Sequence, residues 1–439
     1  MKRLFLSIAL ISSGLLYAQS NKIKYTEYTL ENGLHVILHE DHSTPIVAVT
    51  VLYHVGSKNE DPQRTGFAHF FEHLMFEGSQ NIKRGEFMKT VQSAGGELNA
   101  NTSFDRTFYY EVLPSNQLEL GLWLESERML HAKIDSLGVE TQRKVVKEEL
   151  KQRNENTPYG SVLNEAFGHA FVQHPYRWTP GGSPEYINKA SLQEFIDFYK
   201  MYYVPNNATI SIAGDINVSQ TKQLIEKYFA PIPKGAVHII RPTIVEPQKT
   251  AEVRDTIFDN IQLPAVVMAY HIPAQGTPDY YAVNMLTTLL SQGKSSRMQK
   301  SIVDKQQKAL YAGAFPLSSE DPGLALIFGI ANMGVNPSEL EASMNAEFEN
   351  VKQTLISEEE FQKLKNQVEN DFISANAEMV GIAENLANYH VYFKDANLIN
   401  NEIQRFMKVT REDLQKAALK YLTKENRVVL YYLPKEQNN

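Results

Sequence analysis

The chain contains no cysteine. That excludes a disulfide framework, a thiolate metal site and lipoprotein attachment, and it is compatible with an oxidising compartment. Beyond the N-terminus no stretch is long and apolar enough to span a membrane, which takes about 20 residues. Positive charge is also in short supply: 43 Lys and Arg against 51 Asp and Glu give a net charge of −8. The deficit argues against nucleic acid, a partner that needs clustered cations, and weakly against anionic lipid. A hydrophobic content of 43% is ample for a globular core.

The N-terminus reads as an export signal. Lys2-Arg3 precede a mostly apolar stretch from Leu4 to Tyr17, and Ala18 offers a small residue for cleavage before Gln19. Residues 1–18 are therefore expected to be a signal peptide, with an uncleaved anchor as the alternative. The mature chain is expected to be periplasmic or secreted. Its net charge goes from −8 to −10, because Lys2 and Arg3 leave with the leader.

The most informative residues are His69-Phe70-Phe71-Glu72-His73, which read H-x-x-E-H. On a helix His69 and His73 leave the same face one turn apart, a spacing that suits two nitrogens on one tetrahedral Zn²⁺. Glu72 lies about 60° round from His69, close enough to act on a water without being a ligand. The alternative is a helix whose histidines merely border its buried edge. Phe67, Phe70, Phe71 and Leu74 are expected in the core, with the helix running from about Thr65 to Glu77.

Catalytic zinc sites usually show three protein ligands and a water. The strongest third donor lies in Gln142-Arg143-Lys144-Val145-Val146-Lys147-Glu148-Glu149-Leu150, a stretch without Gly or Pro. If Val145, Val146 and Leu150 mark the inward face, then at about 100° per residue Glu149 points in and Glu148 points to solvent. A zinc ion would satisfy an inward carboxylate; an Arg or Lys partner is the other possibility.

On these residues the chain resembles the inverzincin zinc proteases, the family of pitrilysin, insulin-degrading enzyme and the mitochondrial processing peptidase, and within it the bacterial secreted branch. The family carries H-x-x-E-H and a zinc-binding Glu downstream; Glu149, 76 residues after His73, stands at that ligand's place. Gly95-Gly96-Glu97-Leu98-Asn99-Ala100-Asn101-Thr102 with Asp105-Arg106-Thr107, His174-Pro175-Tyr176, Pro205-Asn206-Asn207 and Gly214-Asp215 are also similar to the family. The resemblance implies that the strand holding Asn99 and Ala100 lies beside the metal and pairs with the substrate backbone.

An internal repeat divides the chain. Ser191, Glu194, Phe195, Tyr202 and Asn207 are matched, 219 positions on, by Thr410, Asp413, Leu414, Tyr421 and Asn426. Both segments open with an S/T-x-x-D/E capping box, run an amphipathic helix, turn at Asn and enter a strand, at Thr209–Ala213 and Val428–Leu433. Tyr53-His54-Val55 is echoed by Tyr270-His271-Ile272, 217 positions on. Two homologous α+β domains are expected, at 19–230 and 251–439, each a mixed or antiparallel sheet packed with helices. The join, 231–250, holds four prolines and reads as an extended linker. In the first half Tyr25–Leu30, His35–His39 and Ile46–Val55 are predicted strands. The second-half counterpart of the motif helix, Tyr281 to Gln292, contains no His, Asp or Glu, so only the first half is expected to hold metal.

Two positions depart from the family. Relatives place an Arg seven residues before a Tyr that helps hold substrate. The matching Tyr is Tyr311, but Asp304 stands at the Arg position, and a carboxylate cannot replace a guanidinium at a carbonyl or oxyanion. The departure implies a heterodimer, in which a homologous subunit lacking the zinc motif supplies the Arg and Tyr; compensation by Arg297 in the same chain is the alternative. The second departure is Gln142, where several relatives have a supporting Glu. An amide can still orient a ligand by hydrogen bonding.

The implied activity is hydrolysis of extended or unfolded peptides, with one Zn²⁺ held by His69, His73 and Glu149 and with Glu72 as general base. A catalytically silent peptide-binding member of the same fold is the alternative. Metal storage is disfavoured, since only one complete ligand set is visible. His54 and His131 read as packing or capping groups, His35, His39 and His42 as a cluster able to bind adventitious metal, and Glu358-Glu359-Glu360 as a solvated helix start.

Overall fold

The computed structural model describes residues 22–235 and 238–435. The predicted signal peptide, residues 1–18, lies outside the described residues, as do Ala236 and Val237 of the predicted linker. No helix among the described residues is long and apolar enough to cross a membrane.

The strand-forming stretches rich in Val, Ile and Tyr build two sheets. The first contains β1 (Thr26–Thr29), β2 (His35–Glu40), β3 (Ile46–Tyr53), β4 (Glu97–Thr102), β5 (Thr107–Pro114) and β6 (Ala208–Gly214), in the order β1-β2-β6-β3-β5-β4. The second contains β7 (Val253–Asp259), β8 (Ala265–His271), β9 (Ala309–Leu317), β10 (Leu324–Ala331) and β11 (Arg427–Pro434), in the order β7-β11-β8-β10-β9. One neighbouring pair in each sheet is parallel, β2 with β6 and β7 with β11; the others are antiparallel. The sheets therefore match strand for strand, with β1 as an addition, and the α+β expectation of a duplicated mixed sheet is met.

The repeat is visible in single hydrogen bonds. Ser191 and Thr410 each close a capping box with the acid three residues on. Asn207 Nδ2 donates to the carbonyl of Tyr202, and Asn426 Nδ2 to that of Tyr421, both at 2.8 Å. The backbone N–H groups of His54 and His271 then bond the carbonyls of Asn207 and Asn426.

Each half lends a helix to the other. One face of the first sheet carries the motif helix (Phe67–Leu74), the long helix Ser136–Asn154 and the helix Leu192–Tyr202. Its other face, at Ile37, Ala48 and Ala213, is covered by Ile382, Ala383 and Leu386 of the helix Met379–Phe393 from the second half. In return Ala166, Phe167 and Ala170 of the helix Val162–Ala170 cover the second sheet at Val267, Ala269 and Leu430. The central strands are thus buried on both faces, which is why β3 and β6 read as nearly continuous apolar runs.

The exchange is latched by ions. Lys58, 5% exposed, lies 2.9 Å from Asp105, 2.6 Å from Glu320 and 3.0 Å from Asp321. Glu320 also accepts from His54 Nε2 at 3.0 Å. Tyr176 donates to Asp105 at 2.6 Å and accepts from the Asp321 N–H at 3.1 Å. Burial pushes the Glu320 carboxyl up, but His54 and Lys58 more than offset it and hold it at about 2.

Residues 233–235 and 238–250 carry no helix or strand, yet they are not loose. Glu246 accepts the backbone N–H groups of Val172, Gln173 and His174 at 2.7, 3.0 and 2.7 Å. Arg241 bonds the His54 carbonyl and Asn207 Oδ1.

Candidate metal centre

The motif helix is shorter than predicted, Phe67–Leu74 in place of Thr65–Glu77, because Gly66 breaks it at φ 97°. No side chain of its own caps the start. The buried Glu60 carboxylate does so from outside, accepting Gly66 N–H at 2.9 Å and Ala68 N–H at 2.8 Å. Burial pushes the Glu60 carboxyl up to about 8, while those amides pull it down. Aromatic packing holds the helix in place: Phe67 and Phe70 each stack on Phe195 with centroids 4.6 Å apart, and Tyr109 donates to the Phe71 carbonyl at 3.2 Å.

The long helix Ser136–Asn154 crosses this helix and delivers Glu149. His69 Nε2 lies 3.4 Å from Glu149 Oε1 and His73 Nε2 lies 3.0 Å from Oε2. One donor atom from each residue falls within 4.8 Å of the others. The imidazole planes cross at 83°, so their lone pairs can converge on one point. A tetrahedral zinc with bonds of about 2.0–2.1 Å sets its ligand atoms about 3.3 Å apart, close to the observed separations. Hydrogen bonds from His69 and His73 hold the Glu149 carboxyl well below the usual carboxylate range. The donor set, two imidazoles and one carboxylate, therefore fits a zinc ion. Arg153, the kind of partner the alternative reading required, lies 3.5 Å from Glu149 Oε1 but is half exposed.

The expected inward face of this helix needs one correction. Val146 and Leu150 are buried, but Val145 is 45% exposed. The buried row is Val139, Val146 and Leu150, because the helix packs along that line against the motif helix. Glu148 is exposed and Glu149 half-buried, as the periodicity implied.

Glu72 does not join the three donors. Its Oε2 accepts a 2.6 Å hydrogen bond from Thr102 Oγ1, at the end of β4. The sequence alone gives Thr102 no role. Strand alternation holds the signal: Leu98, Ala100 and Thr102 share the less exposed face of β4, while Glu97, Asn99 and Asn101 share the exposed one. β4 ends the sheet order, so the outer edge beside Asn99 and Ala100 has no strand partner among the described residues.

Gln142 hydrogen-bonds neither the histidines nor Glu149. Its Nε2 donates to Glu77 Oε1 at 2.5 Å, and Glu77 also pairs with Arg84. Its contact is thus with the segment that leaves the motif helix. Tyr311 lies on β9 in the second half, 41% exposed and against Phe328. Asp304 accepts from Gln299 at 2.9 Å. Arg297 is held by both oxygens of Glu360, at 2.9 and 2.7 Å; that pair corrects the reading of Glu360 as solvated and commits the guanidinium elsewhere.

The histidines near β2 separate. His39 bonds the Lys24 carbonyl and His42 bonds Asp215. His35 bonds Glu27 at 3.1 Å and stacks on His390 with centroids 3.4 Å apart and planes 4° apart. Glu27, His35 and His390 lie close enough to resemble a ligand set. Their parallel rings, however, direct their nitrogen lone pairs side by side and away from a common centre. His54 serves the inter-half latch, and the His131 carbonyl accepts from Gln80 N–H.

Comparison with known proteins agrees with the duplicated fold. Residues 35–176 match the family described as Insulinase (Peptidase family M16), and residues 189–368 match Peptidase M16 inactive domain. The chain is 33% identical to the zinc protease PqqE of Helicobacter pylori, over 98% of this chain and 97% of that one. It is 24% identical to an uncharacterized zinc protease, YmxG, of Bacillus subtilis, over 80% and 85%. The crystal structure of a protease from Helicobacter pylori superposes with a TM-score of 0.90 at 31% identity, covering 94% of this chain and all of that one. The periplasmic protease PqqL of Escherichia coli shares the fold, with a TM-score of 0.76 at 21% identity over 94% of this chain and 48% of that one.

Proposed function

The chain belongs to the M16 peptidase family, and from that membership we propose that it is a zinc-dependent endopeptidase acting on extended or unfolded peptides. The observation that carries the reading is the meeting of three donors from two helices, His69, His73 and Glu149, beside a carboxylate that is not one of them. These three residues would hold one zinc, which when bound supplies acidity to a water and polarises a carbonyl. Glu72 takes the proton of the attacking water and returns it to the leaving amine. Thr102 holds Glu72 Oε2, which leaves Oε1 free for that proton. The open edge of β4 offers its backbone N–H and C=O groups to a peptide, which must be extended to pair with it. Asn99 and Ala100 lie on that edge. Folded proteins, whose strands are already paired, are poor substrates.

The same reading includes a second, homologous subunit without H-x-x-E-H that supplies an Arg and a Tyr. Asp304 at the expected Arg position and Arg297 tied to Glu360 support it, as does a length equal to about half of the PqqL chain. The Lys2–Ala18 leader supports a periplasmic or secreted location. The domains are drawn at 19–230 and 251–439, joined by 231–250.

Hydrolysis of an unstructured fluorogenic peptide tests the function. The zinc-loaded protein is expected to cleave it, and a chelator to stop it. Glu72→Gln should lose about 10²- to 10⁴-fold in kcat, the usual contribution of a general base. Zinc-loaded protein that binds the peptide without cleaving it would establish the silent peptide-binding alternative.

A further inference from the structure

A cavity of about 390 Å³ lies between the halves, and none of His69, Glu72, His73 or Glu149 lines it. Its walls come from the β4–β5 turn, the start of the helix Pro278–Ser291, the borrowed helix Met379–Phe393 and the helix Leu398–Met407. Its volume falls at the small end of the range for ligand pockets, about 300–1,000 Å³.

Three polar atoms in these walls have no partner. Gln275 Nε2, Arg106 Nη1 and Asn388 Oδ1 are all buried without a hydrogen bond. An unmet buried donor or acceptor costs about 1–3 kcal/mol, so such groups are normally paired. Two unmet donors and one unmet acceptor in the walls of a common cavity are the complement of an amide, whose carbonyl oxygen has two lone pairs and which carries at least one N–H. Exchanging oxygen and nitrogen in both side-chain amides changes which residue donates and leaves the complement the same.

The charge of the walls selects further. Arg106 is paired through Nη2 with Glu384, which balances its charge, and its unmet Nη1 adds a second N–H donor. Glu402 is 7% exposed, and Tyr281 donates to it at 3.4 Å. Burial pushes its carboxyl up, against the hydrogen bonds of Tyr389 and Tyr281 that pull it down. The rings of Tyr280 and Tyr389 add flat apolar surface, suited to a planar group.

We propose that this cavity is a binding site for a neutral amide, with Gln275 and Asn388 forming the hydrogen-bonding pair and the tyrosine rings forming its walls. The amide is either a carboxamide side chain or a peptide group. Ser103, in the cavity wall, directly follows Thr102, the residue that holds Glu72. A peptide lying along β4 therefore passes near the cavity. The binding claim itself does not rest on zinc or turnover.

Ligand-observed NMR titration of the full chain tests it with two probes. N-acetyl-glutamine methylamide presents both amide kinds, and N-acetyl-glycine methylamide presents the peptide group alone. Saturable binding of both probes is expected for a peptide-group site, and of the glutamine probe alone for a carboxamide site. Asn388→Leu and Gln275→Met should each weaken binding at least tenfold, with an unchanged melting temperature showing that the fold survives. Absence of saturable binding to the unmodified chain, or equal binding by both folded variants, overturns the proposal.

Discussion

One hydroxyl decides how the proposed base is held. Thr102 Oγ1 donates to Glu72 Oε2 at 2.6 Å, and a hydrogen bond to a charged group is worth about 1.5–3 kcal/mol. Thr102→Val keeps the side-chain shape and removes the donor. It is expected to lower kcat about 10- to 100-fold with KM and zinc content little changed, and Thr102→Ser should recover most of the loss. Steady-state kinetics with metal analysis checks this; a loss confined to KM would assign Thr102 to substrate binding. The residues of the donor set were legible in the sequence because helical geometry fixes them: four positions for His69 and His73, and about 100° per position for Glu149. Thr102 was harder to see, since its partner lies 30 positions away and only the tertiary fold brings it near. The misplacement of Val145 has the same origin. Apolar residues suggest which face is buried, but the neighbouring helix decides which of them it covers.

The motif helix is eight residues long, too short to be stable alone, so its position depends on what surrounds it. Its entry is a close meeting of two glycines. Gly182, at φ 57°, has no room for a side chain: a Cβ there would lie 2.1 Å from Gly66 N and 2.4 Å from Gly66 Cα. Gly182→Ala is expected to destabilise the protein by about 1–3 kcal/mol from backbone strain alone, and to weaken zinc binding because the helix start must shift. Thermal melts and a zinc-chelator competition measure the two effects. An alanine variant with normal melting and normal zinc affinity would show that the entry is not tightly set. The capping boxes at Ser191 and Thr410 were readable as local signals, since the partner sits three residues on. The Glu60 cap was not, because it reaches the helix from outside with no motif to mark it.

The two halves are joined by exchange of helices and by the Lys58 cluster. The repeat at 219 positions announced two halves, and their sheets match strand for strand. The exchange of Val162–Ala170 for Met379–Phe393 left no such mark, because an amphipathic helix does not record which sheet it covers. Breaking a buried ion pair from one side costs about 3–5 kcal/mol, so Lys58→Met should destabilise the molecule by about that amount. The acid limb carries a second signature. The Glu320 carboxyl is held at about 2 in the folded chain and rises to about 4.3 on unfolding. Its contribution is therefore complete above about 4.3 and is lost as pH falls towards 2. Lys58→Met should flatten this part of the stability–pH curve in urea titrations; an unchanged slope would place the acid sensitivity elsewhere.

The central claim is that His69, His73 and Glu149 grip one zinc while Glu72 stands apart from it. Zinc stoichiometry, measured by mass spectrometry on the purified chain and two variants, tests this directly. The account predicts one zinc per chain in the unmodified protein and in Glu72→Gln, and a large loss in Glu149→Gln. Full zinc retention in Glu149→Gln, or loss of zinc in Glu72→Gln, would contradict it.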